Sequence, residues 1–112
     1  LEGDRASCFV EVKTVTMHVG VGVAAFPDSV TERGTRHLGE LVALRRRGHR
    51  AVLLFCTART GAERVRPADE IDPAYGAALR RALTGGVEVL AYRCDISAAR
   101  ISLGPRIAVE TR

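Results

Sequence analysis

Apolar and polar residues recur with two different periods along the chain, and the changes of period divide it into strands and helices. Residues 7–17 alternate and are rich in β-branched side chains, which predicts a strand. Residues 50–57 form an unbroken apolar run, which is typical of a strand buried on both faces. A third strand is predicted at 87–94, and shorter strand segments are expected at 101–103 and 107–109.

The first helix is predicted between the first two strands. Residues 18–26 form a glycine-bearing connection that leads to it. Asp28 or Ser29 then supplies a side-chain oxygen suited to the N-cap, and apolar residues recur at helical spacing over 30–47. Gly48 is a natural end for this helix.

A second helix is predicted between the second and third strands. A polar loop at 58–68 precedes it, and Asp72 followed by Pro73 supplies a cap and a first helical residue. The helix is expected to end at Gly85-Gly86. The order strand, helix, strand, helix, strand predicts an α/β domain in which helices flank a mixed sheet.

The composition restricts the class of protein. The 112 residues suffice for one domain core, and 46% apolar with 27% charged residues is a globular composition. No apolar run approaches the roughly 20 residues that a bilayer span needs, so no membrane partner is expected. Cys8, Cys56 and Cys94 are odd in number and lie in apolar runs, which predicts buried, reduced thiols in a cytoplasmic protein.

The basic residues are unusual because all but one of the 17 are arginine. Lys13 is the only lysine, and a compact ammonium can do chemistry that a planar guanidinium cannot, so Lys13 is a candidate for a chemical role. The net charge of +4 is compatible with a nucleic-acid partner without requiring one. Arg45, Arg46, Arg47 and Arg50 suit either a solvated helix end or contacts with DNA phosphates.

Glu11 and Lys13 form the strongest chemical pattern. Residues two apart in a strand share a face, so this carboxylate and this ammonium are expected side by side. Carboxylate oxygens bind hard cations such as Mg²⁺, and a neighbouring lysine can orient a metal-activated water or stabilise charge on a phosphate. This is the chemistry of metal-dependent phosphodiester hydrolysis. The alternative interpretation is an ion pair on a strand surface.

Two further patterns involve the predicted helices. Arg33, His37 and Glu40 follow one stripe of the first helix, which either supports a strand-borne metal site or is a solvated edge with a partly buried histidine. The acidic run at 69–72 suits the positive end of the second helix better than it suits a metal.

The segments FVEVKTVT, FPDSVTERGTRHLGEL, RAVLLF, PADEIDPAY and GVEVLAYRCDIS, in this order, closely resemble the sugar fermentation stimulation protein family. Members of that family are longer, with an N-terminal OB-like domain and a C-terminal domain resembling the PD-(D/E)xK nuclease fold. The resemblance implies that residues 1–112 form the single C-terminal domain. Its mixed sheet would then be restriction-endonuclease-like and truncated at its N-terminal side.

Carried over residue by residue, the resemblance implies a nuclease half-site. Glu11 and Lys13 would be the catalytic residues, with Glu11 as a metal ligand for Mg²⁺ or Mn²⁺. Lys13 would position water or the scissile phosphate. The family is described as DNA-binding and linked to the regulation of sugar (maltose) utilisation in bacteria. Supporting roles fall to residues that match family positions beside the site: Thr14, Glu32, Arg33 and His37.

The family signature also contains an aspartate, which lies on the strand before the one that carries Glu11 and Lys13. Asp4 lies in an expected turn and is no substitute for it. We therefore expect the chain as given to lack one metal ligand, to bind metal weakly and to be inactive. It would also expose a sheet edge that favours pairing with a second copy. Two alternatives remain: a non-catalytic DNA-binding regulator, and a domain that serves only to dimerise a longer protein.

Overall fold

The computed structural model describes residues 6–58, 61–96 and 101–111. These residues form the predicted α/β arrangement of a mixed sheet with two helices. In chain order the elements are β1 (Cys8–Thr14), β2 (Met17–Gly20), β3 (Val23–Phe26), α1 (Glu32–Arg46), β4 (Arg50–Thr57), β5 (Arg64–Pro67), α2 (Pro73–Thr84), β6 (Glu88–Ile96) and β7 (Ile101–Val109).

The strands lie in the order β1-β4-β6-β7-β5-β3-β2. β4 is parallel to both β1 and β6, whereas β7 runs antiparallel to β6. The end of β7 pairs in parallel with β5, which in turn is parallel to β3. The predicted short segments at 101–103 and 107–109 are therefore one long strand, and this strand joins the two halves of the sheet.

The first predicted strand, at 7–17, is shorter in the structure. β1 ends at Thr14, and the amide of the buried Val15 donates to the carbonyl of Cys56 at 2.7 Å. β2 then begins at Met17 and pairs antiparallel with β3. The predicted connection at 18–26 is thus mostly a hairpin. The alternation breaks at Val15 because this side chain enters the core.

The loop predicted at 58–68 contains β5. This strand lies between β7 and β3, with Val65 and Pro67 buried and Arg64 and Arg66 partly exposed. Two arginines in four residues give a polar local pattern, and the strand forms because neighbouring strands pair with it.

The predicted N-cap of α1 is wrong. Thr31 caps the helix, and its hydroxyl accepts a hydrogen bond from the amide of Gly34 at 2.9 Å. Asp28 and Ser29 are exposed before it. The amide of Thr31 donates to a carboxylate oxygen of Asp72 at 2.9 Å, so a contact with a residue far along the chain selects the start of α1.

The acidic run at 69–72 serves the fold, as predicted. Asp72 is buried and caps α2. Asp69 pairs with Arg80 at 2.6 Å, and Glu70 pairs with Arg66 at 2.8 Å. The hydrogen bonds from Arg66 hold the pKa of Glu70 at about 2. Each acid therefore has a structural partner.

The core lies between the helices and the sheet. Cys56 and Cys94 are buried free thiols as predicted, but Cys8 is exposed, which corrects the expectation for it. Cys8 lies at the start of β1, which has one strand neighbour among the described residues. No helix in the described ranges is long and apolar enough to cross a bilayer. The largest fully buried side chains include Leu38, Leu53, Phe55, Tyr75 and Leu79.

Candidate functional site

β1 and α1 bring Glu11, Lys13 and His37 together. Glu11 lies opposite Leu53 and Lys13 opposite Phe55 in the parallel pairing with β4. Lys13 Nζ is 3.5 Å from Oε2 of Glu11 and 3.1 Å from Nδ1 of His37. His37 Nδ1 is 3.6 Å from the same Glu11 oxygen. The three side chains thus form one compact group.

The lysine of this group is the most enclosed member. The side chains of Lys13 and His37 are 16% and 19% exposed, whereas that of Glu11 is 36% exposed. Lys13 Nζ and Nδ1 of His37 lie within hydrogen-bonding distance, and the tautomer of the imidazole decides which of the two donates. The group therefore presents a held ammonium beside a carboxylate that solvent can reach.

Packing of α1 places His37 above β1. Leu38 and Leu41 are buried and anchor the helix, and this leaves His37 and Glu40 at its edge. His37, Glu40 and Glu11 line one cavity of about 150 Å³. Two members of the predicted helical stripe therefore reach the site, and Glu40 adds a second carboxylate to the cavity wall.

The other predicted supporting residues form no hydrogen bond or ion pair with this group in the described structure. Thr14 is exposed and, as the strand neighbour of Lys13, points to the opposite face. Glu32 is exposed at the first position of α1 and lines a different cavity. Arg33 is exposed one turn before His37 on the same stripe.

The four arginines predicted to contact DNA divide into two kinds. Arg45, Arg46 and Arg47 are exposed at the end of α1, and no ion pair involves them within the described ranges. Arg50 instead donates two hydrogen bonds to Glu88, at 2.6 and 2.9 Å. These bonds hold the pKa of Glu88 below its ordinary value. Much of the charge of Arg50 is therefore already matched.

Tyr75 is a residue near the site that the sequence analysis missed. It is fully buried, its ring packs edge-on against Phe26 at 5.3 Å, and its hydroxyl has no hydrogen-bond partner in the described structure. Burial, together with the charges of Glu11 and Asp72, raises the pKa of Tyr75. The only sequence signal is an aromatic residue in the first turn of α2, which equally indicates ordinary core packing.

The described residues supply only part of a ligand set for a divalent cation. Glu11 and Glu40 offer carboxylates to one cavity. However, no three His, Cys, Asp or Glu side chains in these ranges lie close enough together to hold an ion. Mg²⁺ takes six oxygen ligands and usually keeps several waters, so one or two carboxylates alone bind it weakly.

The sequence of this chain is similar to a known protein family over most of its length. The family model of the Sugar fermentation stimulation protein RE domain matches residues 1–100. The sugar fermentation stimulation protein homolog of Pseudomonas aeruginosa PAO1 is 54% identical over 110 residues, which cover 97% of this chain and 47% of that protein. The homolog of Pseudomonas putida W619 is 56% identical over 102 residues, which cover 90% and 43%. The chain thus spans about half the length of the curated relatives it matches.

The fold is also similar to a solved structure, that of SfsA from Pyrococcus furiosus in complex with Ca²⁺. The TM-score is 0.81 at 32% sequence identity, and the match covers 92% of this chain and 45% of that protein. Family model, sequence relatives and fold agree over most of the residues. The chain therefore belongs to the sugar fermentation stimulation protein family.

Proposed function

We propose that the chain forms a restriction-endonuclease-like domain of a DNA-binding protein and carries part of a centre for metal-dependent phosphodiester hydrolysis. One observation carries this proposal: the only lysine of the chain is enclosed between Glu11 and His37, at 3.5 and 3.1 Å. An ammonium held in this way is suited to stabilise charge that develops on a phosphate. A mixed sheet flanked by helices, with this pair on one strand, is consistent with the nuclease-like architecture.

Each residue of the group has a distinct proposed role. Glu11 would ligate Mg²⁺ or Mn²⁺, which supplies Lewis acidity when bound. Lys13 would position the attacking water or the scissile phosphate, and His37 would hold Lys13 by accepting a hydrogen bond from Nζ. The remaining ligands, including the first aspartate of the family signature, would come from outside the described residues. The Ca²⁺ in the Pyrococcus furiosus structure supports a metal site in this family.

The proposal extends to the partner and the setting of the protein. The net charge of +4 and the exposed arginines at 45–47 support DNA as the substrate. Three free cysteines support a cytoplasmic location. A role in regulating sugar (maltose) utilisation rests on the family resemblance alone. Among the supporting residues, Arg33 is favoured as a phosphate contact because it is exposed one turn before His37.

Cleavage of DNA tests the hydrolytic centre. The full-length protein is incubated with plasmid and short single-stranded DNA in Mn²⁺ or in EDTA. We expect cleavage that requires Mn²⁺ and falls by roughly 100-fold in Lys13→Ala, because a charge-stabilising donor is lost. Arg106→Ala removes an exposed arginine on β7 and should keep the wild-type rate. Cleavage that persists in EDTA, or that proceeds at the wild-type rate in Lys13→Ala, contradicts the proposal.

A non-catalytic DNA-binding regulator is the second candidate. The incomplete ligand set among the described residues favours it. The pair of Glu11 and Lys13 would then be a structural ion pair, and affinity would come from arginines. Two results together support this candidate. DNA stays intact in Mn²⁺, and the protein binds DNA with an affinity that weakens as salt rises and does not change with EDTA.

A further inference from the structure

The two helices enclose a groove on the side of α1 opposite the candidate site. His37 faces Lys13, whereas Arg46 follows His37 by nine residues, about two and a half turns of the helix. Arg46 therefore points away from β1. The groove encloses a cavity of about 280 Å³ lined by Gly39, Val42 and Arg46 of α1 together with Ala78, Arg81 and Gly85 at α2.

The helices run in the same direction along this groove. Gly34 near the start of α1 abuts Tyr75 near the start of α2, since a Cβ on Gly34 would lie 3.1 Å from the tyrosine ring. Val42 similarly abuts Gly85, which follows the end of α2. The last turns of both helices, with their arginines, therefore lie side by side.

The charges at this end of the groove are unmatched. Arg46 and Arg81 are exposed, and the side chain of neither has an ion pair or hydrogen bond with another described residue. Arg80 borders an adjoining cavity of about 410 Å³, but Asp69 pairs with it at 2.6 Å. No acidic side chain of the described ranges lines either cavity. Two free guanidinium groups thus face open space.

The groove has the shape and the donors that a phosphate requires. A Cβ on Gly39 would meet no atom within 4 Å, so the α1 wall leaves room for a ligand. Each guanidinium is a planar fork that can bind phosphate oxygens with two hydrogen bonds. Two adjoining cavities share Arg46 and Arg81, so the basic surface is extended and suits a chain of phosphates better than a single anion.

We propose that the groove between α1 and α2 binds the phosphate backbone of nucleic acid through Arg46 and Arg81. The inference rests on the proposed function only for its choice of nucleic acid as the partner. Arg81 is a phosphate contact that no sequence pattern indicates. Arg50 is not part of this surface, because Glu88 already matches its charge. The binding surface is separate from the hydrolytic group, with α1 between them.

The test measures affinity for duplex DNA in EDTA by fluorescence anisotropy over a series of salt concentrations, using the full-length protein. The double variant Arg46→Ala, Arg81→Ala should bind at least about tenfold more weakly at fixed salt. Its slope of log affinity against log salt should be shallower by about 2, because two phosphate contacts are lost. Arg106→Glu changes the net charge by the same two units on β7 and should leave the affinity and the slope close to wild type.

A retained charge separates electrostatics from helix stability. Arg46→Lys with Arg81→Lys should keep most of the salt slope, since the positive charges remain. The inference is overturned if the double alanine variant and Arg106→Glu bind alike, or if wild-type affinity does not depend on salt. It is also overturned if the loss of affinity matches a loss of folded protein in circular dichroism.

The same experiment distinguishes the groove from the proposed hydrolysis. Binding in EDTA is independent of cleavage. If the wild-type protein does not cleave DNA but the double variant still binds DNA more weakly, the groove is supported and the hydrolase is refuted. Conversely, if cleavage depends on Lys13 but the double variant binds DNA with wild-type affinity, only the groove is refuted. Inorganic phosphate serves as a competitor: a groove that binds it as tightly as duplex DNA is a small-anion site, and this contradicts the assignment to nucleic acid.

Discussion

At the scale of single residues, the surroundings of Lys13 differ from those of the arginines. Lys13 is enclosed by Glu11 and His37, and its side chain is only 16% exposed. An arginine at this position would need space for a broad planar group and would point several donors at one imidazole nitrogen. The period of the strand predicts that Glu11 and Lys13 share a face, but only the packing of α1 brings His37 to them.

Tyr75 supports a prediction about stability. Its hydroxyl is buried without a partner in the described structure, so Tyr75→Phe should remove an unsatisfied group and keep the packing. We expect a free energy of unfolding within about 1 kcal/mol of wild type, or higher. Tyr75→Ala should lose about 3–5 kcal/mol because it opens a cavity in the core. Urea denaturation measures both, and a large loss in Tyr75→Phe would reveal a partner for the hydroxyl.

At the scale of elements, the start of α1 depends on the carboxylate that caps α2. Asp72 accepts hydrogen bonds from Thr31 at 2.9 Å and from Tyr75 at 3.0 Å, so one carboxylate serves both helix starts. Local sequence offers Asp28 as an equally good cap. It stays exposed because the tertiary contact with Asp72 selects Thr31.

Because the carboxylate of Asp72 serves both helices, replacing Asp72 should cost much more stability than replacing Asp28. Asp72→Ala should lower the free energy of unfolding by about 2–4 kcal/mol, since a cap is lost and the amide of Thr31 is left unpaired. Asp28→Ala is the control and should change it by less than about 0.5 kcal/mol. Equal effects in thermal or urea unfolding would contradict the assignment of the cap.

Substitution by alanine should change the stability of the protein in opposite directions at two glycines of α1. A Cβ on Gly34 would lie 2.8 Å from Cγ2 of Thr31 and 3.1 Å from Tyr75, so Gly34→Ala should destabilise the protein by about 1–3 kcal/mol. Gly39 has free space, so Gly39→Ala should stabilise it by about 0.5–1 kcal/mol through helix propensity. Urea denaturation tests both, and stabilisation by Gly34→Ala would refute the close contact of the helices.

At the scale of the whole molecule, β1 is one of the two end strands of the sheet that the described residues form. β4 is its only strand neighbour among the described residues. Three of its apolar side chains remain partly in solvent: Phe9 is 40%, Val10 53% and Val12 44% exposed. An apolar edge strand with free backbone groups tends to pair with another strand.

The open edge predicts self-association of the isolated 112-residue chain. Sedimentation equilibrium should show a fraction of dimer that rises with protein concentration. Val10→Lys should weaken dimerisation by placing a charge at the edge. Val21→Lys is the control, because Val21 is 98% exposed in the turn between β2 and β3 and lies away from β1. A chain that stays monomeric at high micromolar concentration, or equal effects of both lysines, would contradict the prediction.

The sequence alone determined the order of the main strands and helices, the shared face of Glu11 and Lys13, and the resemblance to the family. The first two of these features are local, because the period of apolar residues reports which face of a helix or strand is buried. Tertiary structure alone decided the features that depend on distant partners. β5 forms in a polar segment because two strands flank it, and Thr31 starts α1 because Asp72 reaches its amide. The same long-range packing brings His37 to Lys13, and no local pattern specifies the distance between a helix and a strand.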